Sequence, residues 1–250
     1  MKNFIFLISI LAILCSCNNT SEDPEAQKIV DKAIEIAGGE NYERARIDFT
    51  FRNKTYRSTR NHGGEFSLER TVVDSMGTET RDVLSNTGLK RFRNDTAVKV
   101  ADSLINAVSN SVNSVHYFLQ LPFGLNAPAA NKKLVGRDTI DNEGYYEIKV
   151  TFDNAGGGTD HEDEYLYWIN DDTYTVDYLA YNYKVNGGGV RFRKAVNPRV
   201  INGIRFVDYE NFKYKDPGVK LQKLDSLFTA GELTLVSHIR TEDIEVELTE

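Results

Sequence analysis

The chain has 250 residues, a formal charge of −7 and two cysteines, with 40% hydrophobic and 11% aromatic residues. That apolar content supports a sizeable core and excludes a disordered chain, while the acidic balance argues against nucleic acid, whose phosphates need clustered Lys and Arg. Two cysteines supply neither a disulfide framework nor a four-thiolate zinc site.

Met1-Lys2-Asn3 is a short positive start, and Phe4 to Leu14 is apolar except for Ser9. As a helix this run spans about 16 Å, well short of a ~30 Å bilayer core, so it reads as an export signal. Leu14-Cys15-Ser16-Cys17 resembles a bacterial lipobox, in which small residues precede the cysteine to be lipidated. Bulky Leu14 directly before Cys15 disfavours that residue, whereas Ser16 before Cys17 puts the anchor on Cys17. The predicted organisation is a signal peptide over residues 1–16, the lipidated Cys17 and a tether over 17–23, and one β domain over 24–250. More than one acyl chain on Cys17 would hold the protein stably at a membrane, leaving no free thiol for catalysis. By resemblance to sorted lipoproteins, Asn18 favours the outer membrane, on its periplasmic or cell-surface face.

Asp23-Pro24-Glu25 reads as a helix start, with an Asp cap, Pro in the first turn and an acid at the positive end of the dipole. Ala26, Ile29, Val30, Ala33, Ile34 and Ala37 continue at helical spacing until Gly38-Gly39. From Ala45 the period becomes two: Ala45, Ile47, Phe49 and Phe51 alternate with polar residues. Tyr146, Ile148, Val150 and Phe152 repeat that pattern, as do Ile244, Val246 and Leu248. Turn signals such as Asn86-Thr87-Gly88, Asn142-Glu143-Gly144 and Asn202-Gly203 separate the runs, which predicts an antiparallel meander.

Two segments interrupt it. Residues 101–119 place Leu104, Ile105, Val108, Val112 and Val115 on one helical stripe, among Asn and Ser residues that favour helix poorly. Such a helix depends on docking its apolar face and opens more readily than an Ala/Glu/Lys helix. A weaker helix is predicted over 217–229. The fold class is therefore mainly β (α+β): a curled antiparallel sheet or half-barrel, with two or three covering helices.

Candidate cavity residues are Leu104, Val108, Val112 and Val115 on the helix and Trp168, Tyr181 and Tyr183 on adjacent aromatic strands. Ordinary sheet–helix packing explains the same aromatics. No nucleophile elbow, phosphate loop or His-Glu-x-x-His occurs, so no catalytic residue and no cofactor is assigned. Asp160, His161 and Glu162 are the metal-ligand candidates, within an acidic run that a solvated loop explains better and that lacks calcium-loop spacing. His116 lies beside the apolar stripe, either facing a cavity or as a structural histidine. Arg191, Arg193 and Arg205 suit either an anionic head group or, more commonly, carboxylates across the sheet.

A tethered helix ending in Ala37-Gly38-Gly39, the segment from Leu134 to Ile140 with its hairpin to Tyr146-Glu147-Ile148, and Tyr167-Trp168-Ile169-Asn170 before Tyr174 together resemble the lipoprotein-carrier superfamily of LolA, LolB and LppX. The pattern is also similar to Bacteroidota-type outer-membrane lipoproteins of that fold. The resemblance implies an open half-barrel whose concave face, covered by helices, receives acyl chains. An anchored chain does not shuttle, so a LolB- or LppX-like holder of a lipid or apolar small molecule is the expectation. The alternatives are an interaction lipoprotein without ligand and, with less support, a metal-dependent hydrolase or lyase.

Overall fold

The two periods resolve into a succession of antiparallel hairpins in the computed structural model, which describes residues 23–62, 64–153, 163–184 and 187–249. Helix α1 (Pro24–Ala37) starts where its cap predicts. Asp23 Oδ1 accepts the Glu25 and Ala26 amides at 3.1 Å each, and Oδ2 accepts the Leu134 amide at 3.0 Å. The amide bonds, led by that from Ala26, hold this carboxyl below the usual range and tie the helix start to the sheet. The helix stops at Gly38, whose φ of +148° and whose 3.1 Å clearance between a built Cβ and the Gly203 carbonyl both exclude a side chain.

The strands are β1 (Ala45–Phe51), β2 (Lys54–Asn61), β3 (Glu65–Val73), β4 (Glu79–Ser85), β5 (Gly88–Arg93) and β6 (Thr96–Val98). After α2 (Asp102–Leu119) come β7 (Ala130–Ile140), β8 (Glu143–Phe152), β9 (Tyr165–Asn170), β10 (Val176–Tyr183), β11 (Gly189–Ile201) and β12 (Ile204–Lys213). The short α3 (Leu224–Thr229), β13 (Thr234–Ile239) and β14 (Glu242–Leu248) close the chain. The predicted helix over 217–229 is thus shorter than its pattern suggested. Asp216 Oδ1 accepts the Gly218 amide at 2.9 Å, which makes residues 216–218 a turn before a 3-10 segment at Leu221–Lys223.

The mainly-β, antiparallel architecture is the predicted one, with its strands divided between two open seven-stranded sheets. One runs β14-β1-β2-β3-β4-β5-β6 and the other β13-β12-β11-β10-β9-β8-β7. A sheet this long relieves its accumulated twist by splitting. The split falls between β13 and β14, where a polar cluster satisfies the corner. Asp208 Oδ1 accepts the Thr241 amide at 3.1 Å and Arg199 Nη2 at 3.1 Å, and Arg199 Nη2 also reaches the Thr241 carbonyl at 2.9 Å.

The second sheet is covered on both faces, so all six residues of β9 are buried. Tyr165, Tyr167 and Ile169 pack toward α1 with Ile148 and Leu179, whereas Leu166 and Trp168 pack on the reverse face with Phe192 and Leu224. The first sheet is covered beyond β2 chiefly by α2, which contacts β3 and β4. There Asp82, 2% exposed, accepts Arg70 at 2.7 Å and Arg91 at 2.6 Å, and Arg70 reaches on to Ser111 Oγ of α2 at 2.7 Å. Among the described residues no helix is long and apolar enough to cross a membrane.

Candidate functional site

The two ends of α2 are held differently. Its start has no side-chain cap and Leu104 is 51% exposed, while Val112, His116 and Leu119 are buried. His116 explains the tight end: its ring lies edge-on to Phe49 and Tyr56, with centroids 5.4 and 5.6 Å away, and Nε2 donates to the Glu69 carbonyl at 3.1 Å. Burial, with a smaller contribution from Arg60, pushes this imidazole down to about 4, so it is neutral at pH 7. In the last turn, Tyr117 and Tyr167 share a 2.8 Å hydroxyl bond, and Tyr209 donates to the Phe118 carbonyl at 3.4 Å.

A cavity of about 750 Å³ opens beneath this helix end. Phe51, Arg60 and Phe66 line it from the first sheet, and Phe152, Tyr165, Tyr181, Tyr183 and Arg193 from the second. Its volume lies within the roughly 300–1,000 Å³ of small-molecule sites, and its walls are aromatic with a few polar groups. Of the sequence-predicted cavity residues, Val115, Tyr181 and Tyr183 line it. Val112 is buried outside the lining, Val108 is half-buried and Leu104 faces solvent.

Trp168 requires a correction. Tyr178 pairs with Trp168 and Tyr181 with Tyr165 across β9 and β10, so Trp168 and Tyr181 point to opposite faces. Trp168 stacks edgewise on Phe192 with centroids 5.4 Å apart, away from the cavity. Its expected place beside Tyr181 came from treating a continuous aromatic run as one surface.

The arginines also separate. Arg205 lies 3.6 Å from Asp177, and Arg191 bonds its neighbour's carbonyl at 2.9 Å and covers the Tyr183 ring. Arg193, 8% exposed, makes no ion pair among the described residues. It donates to the Tyr181 hydroxyl at 2.8 Å, lies 4.0 Å from the Phe118 ring centroid, and leaves Nε without a partner.

Asp160, His161 and Glu162 lie outside the described residues. A different carboxylate group comes together on the reverse face of the second sheet: Asp138, Glu147 and Asp225 each place an oxygen within 4.8 Å of the others. Burial, then the charges of Asp225 and Asp138, raise Glu147 to about 7, and burial raises Asp225 to about 6. Sequence reading missed this group because its members come from β7, β8 and α3, with no local spacing to join them.

No curated protein matches the sequence. Among solved structures, the chain is similar to a LolA superfamily protein from Nitrosomonas europaea, with TM-score 0.50 and 16% identity over 90% of this chain and 94% of that one. It is also similar to a DUF1329 family protein from Desulfovibrio piger, with TM-score 0.42 and 12% identity over 88% and 92%. Another solved structure it matches is the lipoprotein LppX from Mycobacterium tuberculosis, with TM-score 0.29 and 10% identity over 68% and 92%. At these identities the first likeness shows the fold, which is that of the LolA superfamily. The sequence itself matches a family model over residues 1–241, and the chain belongs to that family, the family of unknown function DUF6503.

Proposed function

We propose that this chain is a membrane-anchored lipoprotein that holds a lipid or another amphiphile between its two sheets, beneath α2. The cavity of about 750 Å³ is the observation that carries the reading, because an interaction module without ligand is expected to fill that space with its own side chains. Burying an acyl chain there would drive affinity at about 0.8 kcal/mol per methylene. Access would come through α2, whose first half is exposed and whose second half forms part of the cavity wall.

In this reading residues 1–16 are removed, Cys17 carries the lipid, residues 24–250 form one domain, and the anchor sits at the outer membrane. Cys17→Ser should then shift the protein from the membrane fraction to the soluble fraction on cell lysis; unchanged partition would remove the anchor from the model.

The ligand is tested by purifying the full chain, extracting it and identifying bound small molecules by mass spectrometry. A stoichiometric acyl-chain compound is the expected result, and adding it back should raise hydrogen-exchange protection over residues 101–125. An empty protein that also refuses fluorescent fatty-acid probes would overturn the binding role. Binding without any change in those residues would overturn the helix's part in it.

A further inference from the structure

Most sheltered arginines of the described structure face a carboxylate: Arg70 and Arg91 share Asp82, Arg199 has Asp208 and Arg205 has Asp177. Of the three arginines that line the cavity, Arg52 is exposed, and the sheltered Arg60 and Arg193 face no carboxylate among the described residues. Arg193 is offset by one phenol and the faces of Phe118, Tyr181 and Tyr209, with ring centroids 4.0, 5.1 and 5.9 Å away. Arg60 lies 5.0 Å from the Phe123 centroid and 5.7 Å from that of Phe66, likewise with Nε unpartnered. Asp163 also lines the cavity and has an interaction of its own. His116 adds no charge near neutrality.

A buried guanidinium without an anion is costly, and aromatic faces compensate it only in part. Its fork of donors matches a carboxylate or phosphate, to which it bonds in bidentate fashion. Both arginines open onto a cavity whose walls include the apolar Phe51, Phe152 and Val207 beside polar groups such as Asn113, Gln120 and Asp163. One ligand satisfies both halves of this lining.

We propose that the bound molecule is an anionic amphiphile, its carboxylate or phosphate held by Arg193 with Arg60 contributing from the other sheet, and its chain lying along the aromatic walls. This rests on the amphiphile reading above and narrows it to acidic lipids.

The test uses the full chain in an amphipathic polymer, titrated with dansylaminoundecanoic acid and with the methyl ester of the same compound. The acid should bind about tenfold more tightly than the ester, and Arg193→Gln should reduce that ratio to about threefold or less. Equal affinities for acid and ester would overturn the anion site and leave the amphiphile reading standing. Failure of both probes to bind would overturn the two together. A ratio that stays near tenfold in both Arg193→Gln and Arg60→Gln would overturn the assignment of the anion to these arginines. Competition by palmitate and by lysophosphatidic acid separates the carboxylate source from the phosphate source. Inorganic phosphate should not displace the acid, and displacement would assign the arginines to a free anion instead.

Discussion

Replacing Asp82 with Ala should destabilise the protein by about 3–5 kcal/mol, the cost of removing one member from a buried charge network. Asp82 is 2% exposed and balances both Arg70 and Arg91, so its loss leaves two guanidinium groups facing each other across β3, β4 and β5. Burial by itself would raise this carboxyl, yet the bonds from Arg91 and Arg70 overcome that effect and hold it below the usual range. The damage should extend beyond the sheet. Arg70 also holds Ser111 at 2.7 Å, a polar tie on the middle of α2. Urea denaturation should therefore show a lower midpoint, and hydrogen exchange should show α2 opening before the rest of the first sheet. A loss below about 1 kcal/mol would mean that the network is solvated in the native protein and contributes as a surface pair does.

The second large effect is a pair of opposed pH dependences. Glu147 has a folded-state value of about 7 against 4.5 for the free side chain, so the folded state holds the extra proton between those values. Its contribution is fully present below the unfolded value and is lost as pH rises through about 7, with a span of about 2–3 kcal/mol. Relative to the wild type, Glu147→Gln should gain that amount between pH 4.5 and pH 8, because Gln imitates the protonated acid and never becomes a buried charge. His116 works the other way: its value is about 4 when folded against 6.5 when free. The unfolded chain takes the proton first, so stability falls by up to about 3 kcal/mol as pH drops from 6.5 to 4. Because the two windows overlap, the wild type changes less between pH 4.5 and 6.5 than either group alone predicts. Denaturant titrations of wild type and Glu147→Gln across that range separate them; a difference independent of pH would show that Glu147 is ionised in the native protein.

Much of the fold was readable because its devices are local. Asp23-Pro24 starts α1 and Gly38 ends it, since a cap and a positive φ involve adjacent residues. The alternation in Ala45–Phe51 and Tyr146–Phe152 also assigns their inner faces correctly, as each strand carries polar residues on its other side. Trp168 defeats this reasoning: in a strand buried on both faces, apolar residues occur at every position and no phase is visible until the partner strand is known. Charged residues were least legible. Arg193 and Arg205 look alike in sequence, but among the described residues only Arg205 finds a carboxylate, because pairing across the fold depends on register and on side chains far away in the chain.

The pairing of β14 with β1 brings the Thr249 hydroxyl to the Arg44 carbonyl, 205 residues away. For a chain made from its N-terminus, β1 therefore stays an open edge of the first sheet until β14 has been made. A contact so distant in sequence slows folding and leaves β1 exposed to pairing with other chains.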